Sequence, residues 1–165
     1  MPAFRRRREQ TGLSETAPPG EGMRGTKGHI GYLLRQAHAV HKMRMEHALK
    51  TTGLTLPQFS VLTMLAAYPG ASGAELARLS LLTPQTMSVI VSNLERASLI
   101  HRRPHEEHGR IQIIGLTDEG QEVLTLSKAA VRAAEAGLLT DLCSEDEDAA
   151  RRWLVKVATL PTDPV

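Results

Sequence analysis

LARLSLLTPQTMSVIVSNLERASLIHRRPHEEHGRIQIIGL, residues 76 to 116, is the stretch whose reading decides the fold. It divides into a short helix, a turn, a second helix beginning at Thr83-Pro84, and two apolar runs. Those runs flank the charged loop His105-Glu106-Glu107-His108-Gly109-Arg110. At about 100° per residue, Met87, Ile90, Val91 and Leu94 fall on one side of the second helix, and Gln85, Ser88, Val89, Ser92 and Arg96 on the other. One face is core and the other is free to touch something. Helix, turn, helix and hairpin is the order of a winged helix.

Composition sets the bounds. A chain of 165 residues is one ordinary domain, or one domain with extensions, and can bury a real core. Aromatics are only 3%, so that core must come from Leu, Ile, Val, Met and Ala. No apolar run approaches the roughly 18 residues that span a bilayer, and no apolar segment follows the basic N-terminus, so a soluble cytoplasmic protein is expected, with no membrane partner. The single cysteine, Cys143, cannot staple the fold, and reads as a small residue near a helix end before it reads as a redox sensor. Net charge is only +2, so any nucleic-acid role must come from where the charges sit.

Outward from the central stretch, residues 1–27 hold Arg5-Arg6-Arg7-Arg8, Pro18-Pro19 and several glycines, with almost nothing to bury, and a disordered tail is expected there. From Gly28 to Lys50 the pattern Ile30, Leu33, Leu34, Ala37, Val40, His41, Leu49 reads as a long amphipathic helix, stopped by Gly53. Thr55-Leu56-Pro57-Gln58 has the form of a capping box with proline at the first helical position, opening a helix to about Tyr68. Ser72-Gly73-Ala74-Glu75 repeats the box and opens a short helix with Leu76 and Leu79 facing in.

After the hairpin, Thr117-Asp118-Glu119 caps a helix whose stripe runs through Val123, Leu124, Leu126, Ala130, Val131, Ala134 and Leu138 to about Leu139. Ser144-Glu145-Asp146-Glu147 reads as a further capping box opening a last helix with Trp153, Leu154, Val157 and Leu160 apolar, ended by Pro161. The resulting organisation is tail 1–27, N-terminal helix 28–52, helix-turn-helix with hairpin 53–117, and C-terminal helices 118–165. The fold class is mainly α with a small β-hairpin, about six helices in all.

Gln85, Ser88, Ser92, Asn93 and Arg96 place hydrogen-bonding groups of the kind that read base edges and hold phosphates on the free face of one helix, next to its N-terminal N–H groups, and with Thr83, Pro84, Thr86 and Val89 they make the candidate DNA-contacting set. On an arbitrary helix they would only solvate a surface. Here a preceding short helix and a following basic hairpin complete a DNA-docking unit. Arg102, Arg103 and Arg110 flank or tip that hairpin and suit a narrow minor groove. Glu106 and Glu107 argue mildly against phosphate contact at the tip, unless they hold the arginines in place.

The chain from about Leu54 to Leu124 resembles the MarR family of winged-helix transcriptional regulators. The resemblance is carried by Leu54-Thr55-Leu56-Pro57-Gln58-Phe59, Ala74-Glu75-Leu76-Ala77, Thr86-Met87-Ser88-Val89-Ile90-Val91-Ser92-Asn93-Leu94-Glu95, Leu99-Ile100-His101-Arg102 and Leu116-Thr117-Asp118-Glu119-Gly120. It implies a sequence-specific DNA-binding regulator, repressing and released by a small-molecule effector, that binds a palindromic operator in double-stranded DNA as an intertwined homodimer. The terminal helices would then dimerise, through Ile30, Leu33, Leu34, Val131, Leu138, Trp153, Leu154 and Val157. An effector would sit among Leu, Met, Ala and His side chains of the first, second and fifth helices. The chain departs from the family at the wing, where an Asp-x-Arg is usual and His108-Gly109-Arg110 stands instead. The arginine is kept and its acidic support is not.

Rival readings rest on less. His38 and His41 share a helix face, and His101, His105 and His108 cluster with Glu106 and Glu107, which could make a zinc-responsive regulator of the same fold. The helical pair lacks a third ligand and the cluster lies at a loop tip, so no metal or other cofactor is expected. A winged helix used only for protein contacts is the other alternative. No nucleophile with a base, phosphate loop or paired-carboxylate cleft emerges, so an enzyme is not expected.

Overall fold

The computed structural model describes residues 17–104 and 112–161. They form α1 (Ile30–Leu49), α2 (Leu56–Ala67), α3 (Gly73–Leu79), α4 (Pro84–Arg96), β1 (Ile100–Pro104), β2 (Gln112–Leu116), α5 (Asp118–Ala136) and α6 (Ser144–Ala158). The chain divides into two compact units, residues 1–41 and 42–165, with the boundary inside α1.

In the first unit, residues 17–27 are not the featureless tail expected. A 3-10 turn spans Gly22–Arg24, and Arg24 Nη1 donates to the Ala17 carbonyl at 3.1 Å. Arg5 to Arg8 lie outside the described residues. In the helix that follows, the Arg35 guanidinium sits over the Tyr32 ring, 5.6 Å from its centre. Ile30 is 66% exposed, and Leu33 and Leu34 are half-buried.

The second unit is organised by local caps. A 3-10 turn, Lys50–Thr52, follows α1, and Gly53 stops it at φ 72°, a left-handed conformation that costs glycine nothing. Thr55 accepts from the Gln58 N–H while Gln58 accepts from the Thr55 N–H, and Ser72 and Glu75 do the same, so both expected boxes form. The caps space α2, α3 and α4 closely enough for Val61, Leu62, Leu65, Leu76, Met87, Ile90, Val91 and Leu94 to share one core with Ile100, Ile114 and Leu124. Each such side chain, fully buried, contributes about 1.5–3 kcal/mol. A smaller cluster joins Met45, Leu49 and Val131, with Phe59 packed against both.

Since α5 supplies Leu124 to the larger core and Val131 to the smaller, packing continues across the boundary expected at residue 117. Val131, expected at a dimer contact, is only 6% exposed within its own chain. Buried beside it is Ser127, whose hydroxyl donates to Thr52 Oγ1 at 2.9 Å, and Thr52 in turn donates to the Leu49 carbonyl at 3.0 Å. This chain of bonds satisfies a polar group the apolar stripe had no place for.

Four sequence expectations are corrected. Leu79 is 39% exposed, because α3 ends at that residue, and Ala77 takes the second inward position beside Leu76. Leu126, at 64% exposure, lies off the buried stripe of α5. That helix stops at Ala136, with Gly137 as its cap and Arg44 donating to the Ala134 carbonyl at 3.3 Å, so Leu138 falls in the following turn at 43% exposure. Ser144 does not cap α6: the extended residue is Cys143, at φ −74° and ψ 164°, and Ser144 is already helical. The capping spacing was present one residue out of register.

Candidate nucleic-acid interface

The two faces of α4 separate as the 3.6-residue period requires. Met87, Ile90, Val91 and Leu94 are buried, whereas Thr83, Pro84, Gln85, Thr86, Ser88, Val89, Asn93 and Arg96 are exposed and Ser92 is half-buried. Val89, at 61% exposure, places an apolar group among polar ones. Thr83 Oγ1 accepts from the Thr86 N–H at 3.2 Å, and Pro84 occupies the first turn, where no N–H is needed. Near the other end Arg96 Nη1 donates to Asn93 Oδ1 at 3.0 Å, so these two side chains are presented together.

Between α3 and α4 the chain turns at Leu81, which has φ 55° and is 92% exposed. A branched side chain in the left-handed region is uncommon, and the sequence carries no glycine to signal the turn. The Leu82 N–H donates to the Ala77 carbonyl at 2.9 Å and closes it.

The hairpin pairs Arg102 with Ile114 and Arg103 with Ile113. Successive strand residues point to opposite faces, so the two arginines part company. Arg102 turns toward α4, where its Nε lies 3.0 Å from Glu95 Oε2 and its Nη2 donates to Ser92 Oγ at 3.4 Å. Arg103 shares the other face with His101, beside Leu65 and Pro69. The His101 ring also crowds Gly115, where an added Cβ would lie 2.7 Å from its Nε2. Arg110, His105, Glu106, Glu107 and His108 lie outside the described residues.

A shallow groove between the hairpin and the two preceding helices is lined by Ser72, Gly73, Pro84, Met87, Ser88, Val91, Arg102, Gln112 and Ile114. One side of it is a single bridge between Ser72 and Ile113, which adds a one-residue strand to the edge of the sheet. Ser72 also caps α3, its N–H and hydroxyl both donating to Glu75 Oε2 at 2.8 Å. The backbone hydrogen bond from Ser72, then that from its hydroxyl, hold the Glu75 carboxyl below the usual glutamate range.

At the far end of α4, Ser98 takes φ 58°, and its N–H and that of Leu99 close the helix on Glu95 and Leu94. Thr117 Oγ1 donates to the Ser98 carbonyl at 2.6 Å and accepts from the Gly120 N–H at 3.0 Å. The same threonine thus joins the turn after α4 to the start of α5. The Glu95–Arg102 pair, the turn at Leu81, the bridge from Ser72 to Ile113 and the contact between Thr117 and Ser98 lie between elements, and none has a local sequence signal.

Among the described residues, no group of three or more His, Cys, Asp or Glu side chains is placed to hold a metal ion, and no helix is long and apolar enough to cross a membrane. Cys143 is exposed, its Sγ donating to Asp146 Oδ2 at 3.2 Å.

Comparison with known proteins agrees with this geometry. The model of the MarR family matches residues 52–111. The HTH-type transcriptional repressor Rv2887 of Mycobacterium tuberculosis is 36% identical over 148 residues, which cover 90% of this chain and 99% of the repressor. The crystal structure of Rv2887 in complex with DNA superposes with a TM-score of 0.66 at 36% identity, over 80% of this chain and 99% of that one. Its complex with salicylic acid gives 0.64 at 37% identity, over 80% and 98%. A capped helix with a buried and a free face, a hairpin locked to it, and 36% identity along 90% of the chain lead to one conclusion. The chain belongs to the MarR family of winged-helix transcriptional regulators.

Proposed function

We propose that this protein is a ligand-released repressor that binds a palindromic operator as a homodimer, with α4 in the major groove. The observation that carries the reading is the division of α4 into a buried row and an exposed row of Gln85, Thr86, Ser88, Val89 and Asn93. The four polar side chains of this row can donate to and accept from base edges, and Val89 suits a thymine methyl. Thr83 and Pro84 lie at the helix N-terminus, where free N–H groups favour a phosphate. Arg96, beside Asn93, and Arg103 are candidate backbone contacts, and Arg110, which falls between β1 and β2 in the sequence, is the candidate minor-groove contact.

Dimerisation is supported by surface left uncovered. Ile30 at 66%, Leu138 at 43%, Trp153 at 39% and Leu154 at 49% exposure, with half-buried Leu33, Leu34 and Val157, are apolar side chains that the chain's own fold leaves for a partner to cover. The segments 28–52 and 118–165 are accordingly assigned to dimerisation and 53–117 to DNA. Rv2887 is a repressor with structures bound to DNA and to salicylic acid. By that likeness, the effector here is a small, partly apolar anion, and the protein works in the cytoplasm without catalysing a reaction.

Selection of bound sequences from random duplex DNA tests this reading. It should return inverted repeats whose half-sites lie about one helical turn, roughly 10 base pairs, apart. An unenriched pool, or single half-sites, would contradict it.

A further inference from the structure

We infer that Arg102 is a positioning residue, which fixes the hairpin to α4 so that the wing and the base-reading face meet DNA as one body. The inference rests on the reading of α4 as the DNA-reading helix and assigns Arg102 a role different from a phosphate contact. Its guanidinium is engaged twice on α4, at 3.0 Å from Glu95 Oε2 and 3.4 Å from Ser92 Oγ. Its own backbone is paired with Ile114 in β2. One side chain of β1, a strand paired with β2, therefore reaches two residues one turn apart on the helix.

The surroundings of Glu95 strengthen the assignment. It follows Leu94, which is fully buried, so its backbone cannot move without disturbing the core. A carboxylate on a DNA-reading helix repels phosphate unless a cation neutralises it, and Arg102 is the cation paired with it. Ser92 is half-buried at the edge of the exposed row. A planar guanidinium can hold the acid and the hydroxyl together, which a lysine ammonium does poorly.

The test is a double-mutant cycle on affinity for a selected operator, over a salt series, using Glu95→Gln, Arg102→Gln, the double variant and Arg102→Lys, with thermal unfolding of each as a folding check. Positioning predicts that Glu95→Gln and Arg102→Gln each weaken binding about two- to fivefold, the scale of an exposed ion pair. The double variant should be no weaker than either single one, Arg102→Lys should not rescue, and the salt slope should stay that of the wild type. A phosphate contact predicts the opposite pattern. Arg102→Gln would lower the slope by about 0.9, Arg102→Lys would retain affinity, and Glu95→Gln would bind as well as wild type or better. That pattern overturns the inference and leaves the DNA reading intact, whereas a wild type with no preference for any sequence overturns both.

Discussion

Thr117 Oγ1 lies 2.6 Å from the carbonyl oxygen of Ser98, which ties the turn after α4 to the start of α5. The same oxygen accepts from the Gly120 N–H and so caps α5. Thr117→Val keeps the shape and removes both bonds. Loss of a cap of this kind costs about 0.5–2 kcal/mol, so urea unfolding should show a lower midpoint with an unchanged slope. An unchanged midpoint would mean the bond is not made in solution.

Gly120 closes the same junction by having no side chain. A Cβ there would run into the Leu99 carbonyl oxygen, which is backbone and cannot step aside cheaply. Gly120→Ala should destabilise by about 1–3 kcal/mol, as overpacking does. Gly31→Ala is the contrasting case: it is exposed on α1 with nothing within 4 Å, so alanine should stabilise by about 0.5–1 kcal/mol through helix propensity. Calorimetry on the pair should therefore give shifts of opposite sign.

Acid should loosen the start of α3. The Glu75 carboxyl titrates lower folded than unfolded because Ser72 donates to its charged form. Its contribution is thus complete above the ordinary glutamate range and is lost as pH falls through the depressed folded value. The stability difference between wild type and Glu75→Gln, followed by denaturant titration, should shrink as pH falls through that window. A difference constant with pH would remove the carboxylate from the account.

What could be read from the sequence follows from where each signal resides. Met87, Ile90, Val91 and Leu94 were legible because period and burial coincide on one helix, and the boxes at Thr55 and Ser72 because donor and acceptor are three residues apart. Ser144 misled because the spacing to Glu147 is satisfied while the extended backbone sits at Cys143. Leu126 and Leu79 are apolar but end up outside the buried rows, and Ser127 is polar but inside one, where Thr52 satisfies it. The partner of Arg102 was invisible, since Glu95 belongs to a different element and nothing local links them. Strand alternation could have separated Arg102 from Arg103, and that signal was available.

Substitutions on the exposed row of α4 should change which base pairs are preferred. Gln85→Ala or Ser88→Ala should lose about 1–3 kcal/mol of discrimination at individual positions, while Arg110→Ala should weaken binding to all sequences alike. Affinities for a panel of single-base operator variants check both. A uniform loss from Gln85→Ala and Ser88→Ala would mean that these side chains hold the backbone and read nothing.

The most direct measurement is the affinity of the wild-type protein for the DNA upstream of its own gene, taken across a salt series. If α4 and the basic hairpin dock on duplex DNA, the logarithm of the binding constant falls linearly with the logarithm of salt, by about 0.9 for each phosphate neutralised, and several phosphates make the fall steep. A flat response, or no binding at low salt, would contradict the DNA-binding role at the centre of this account.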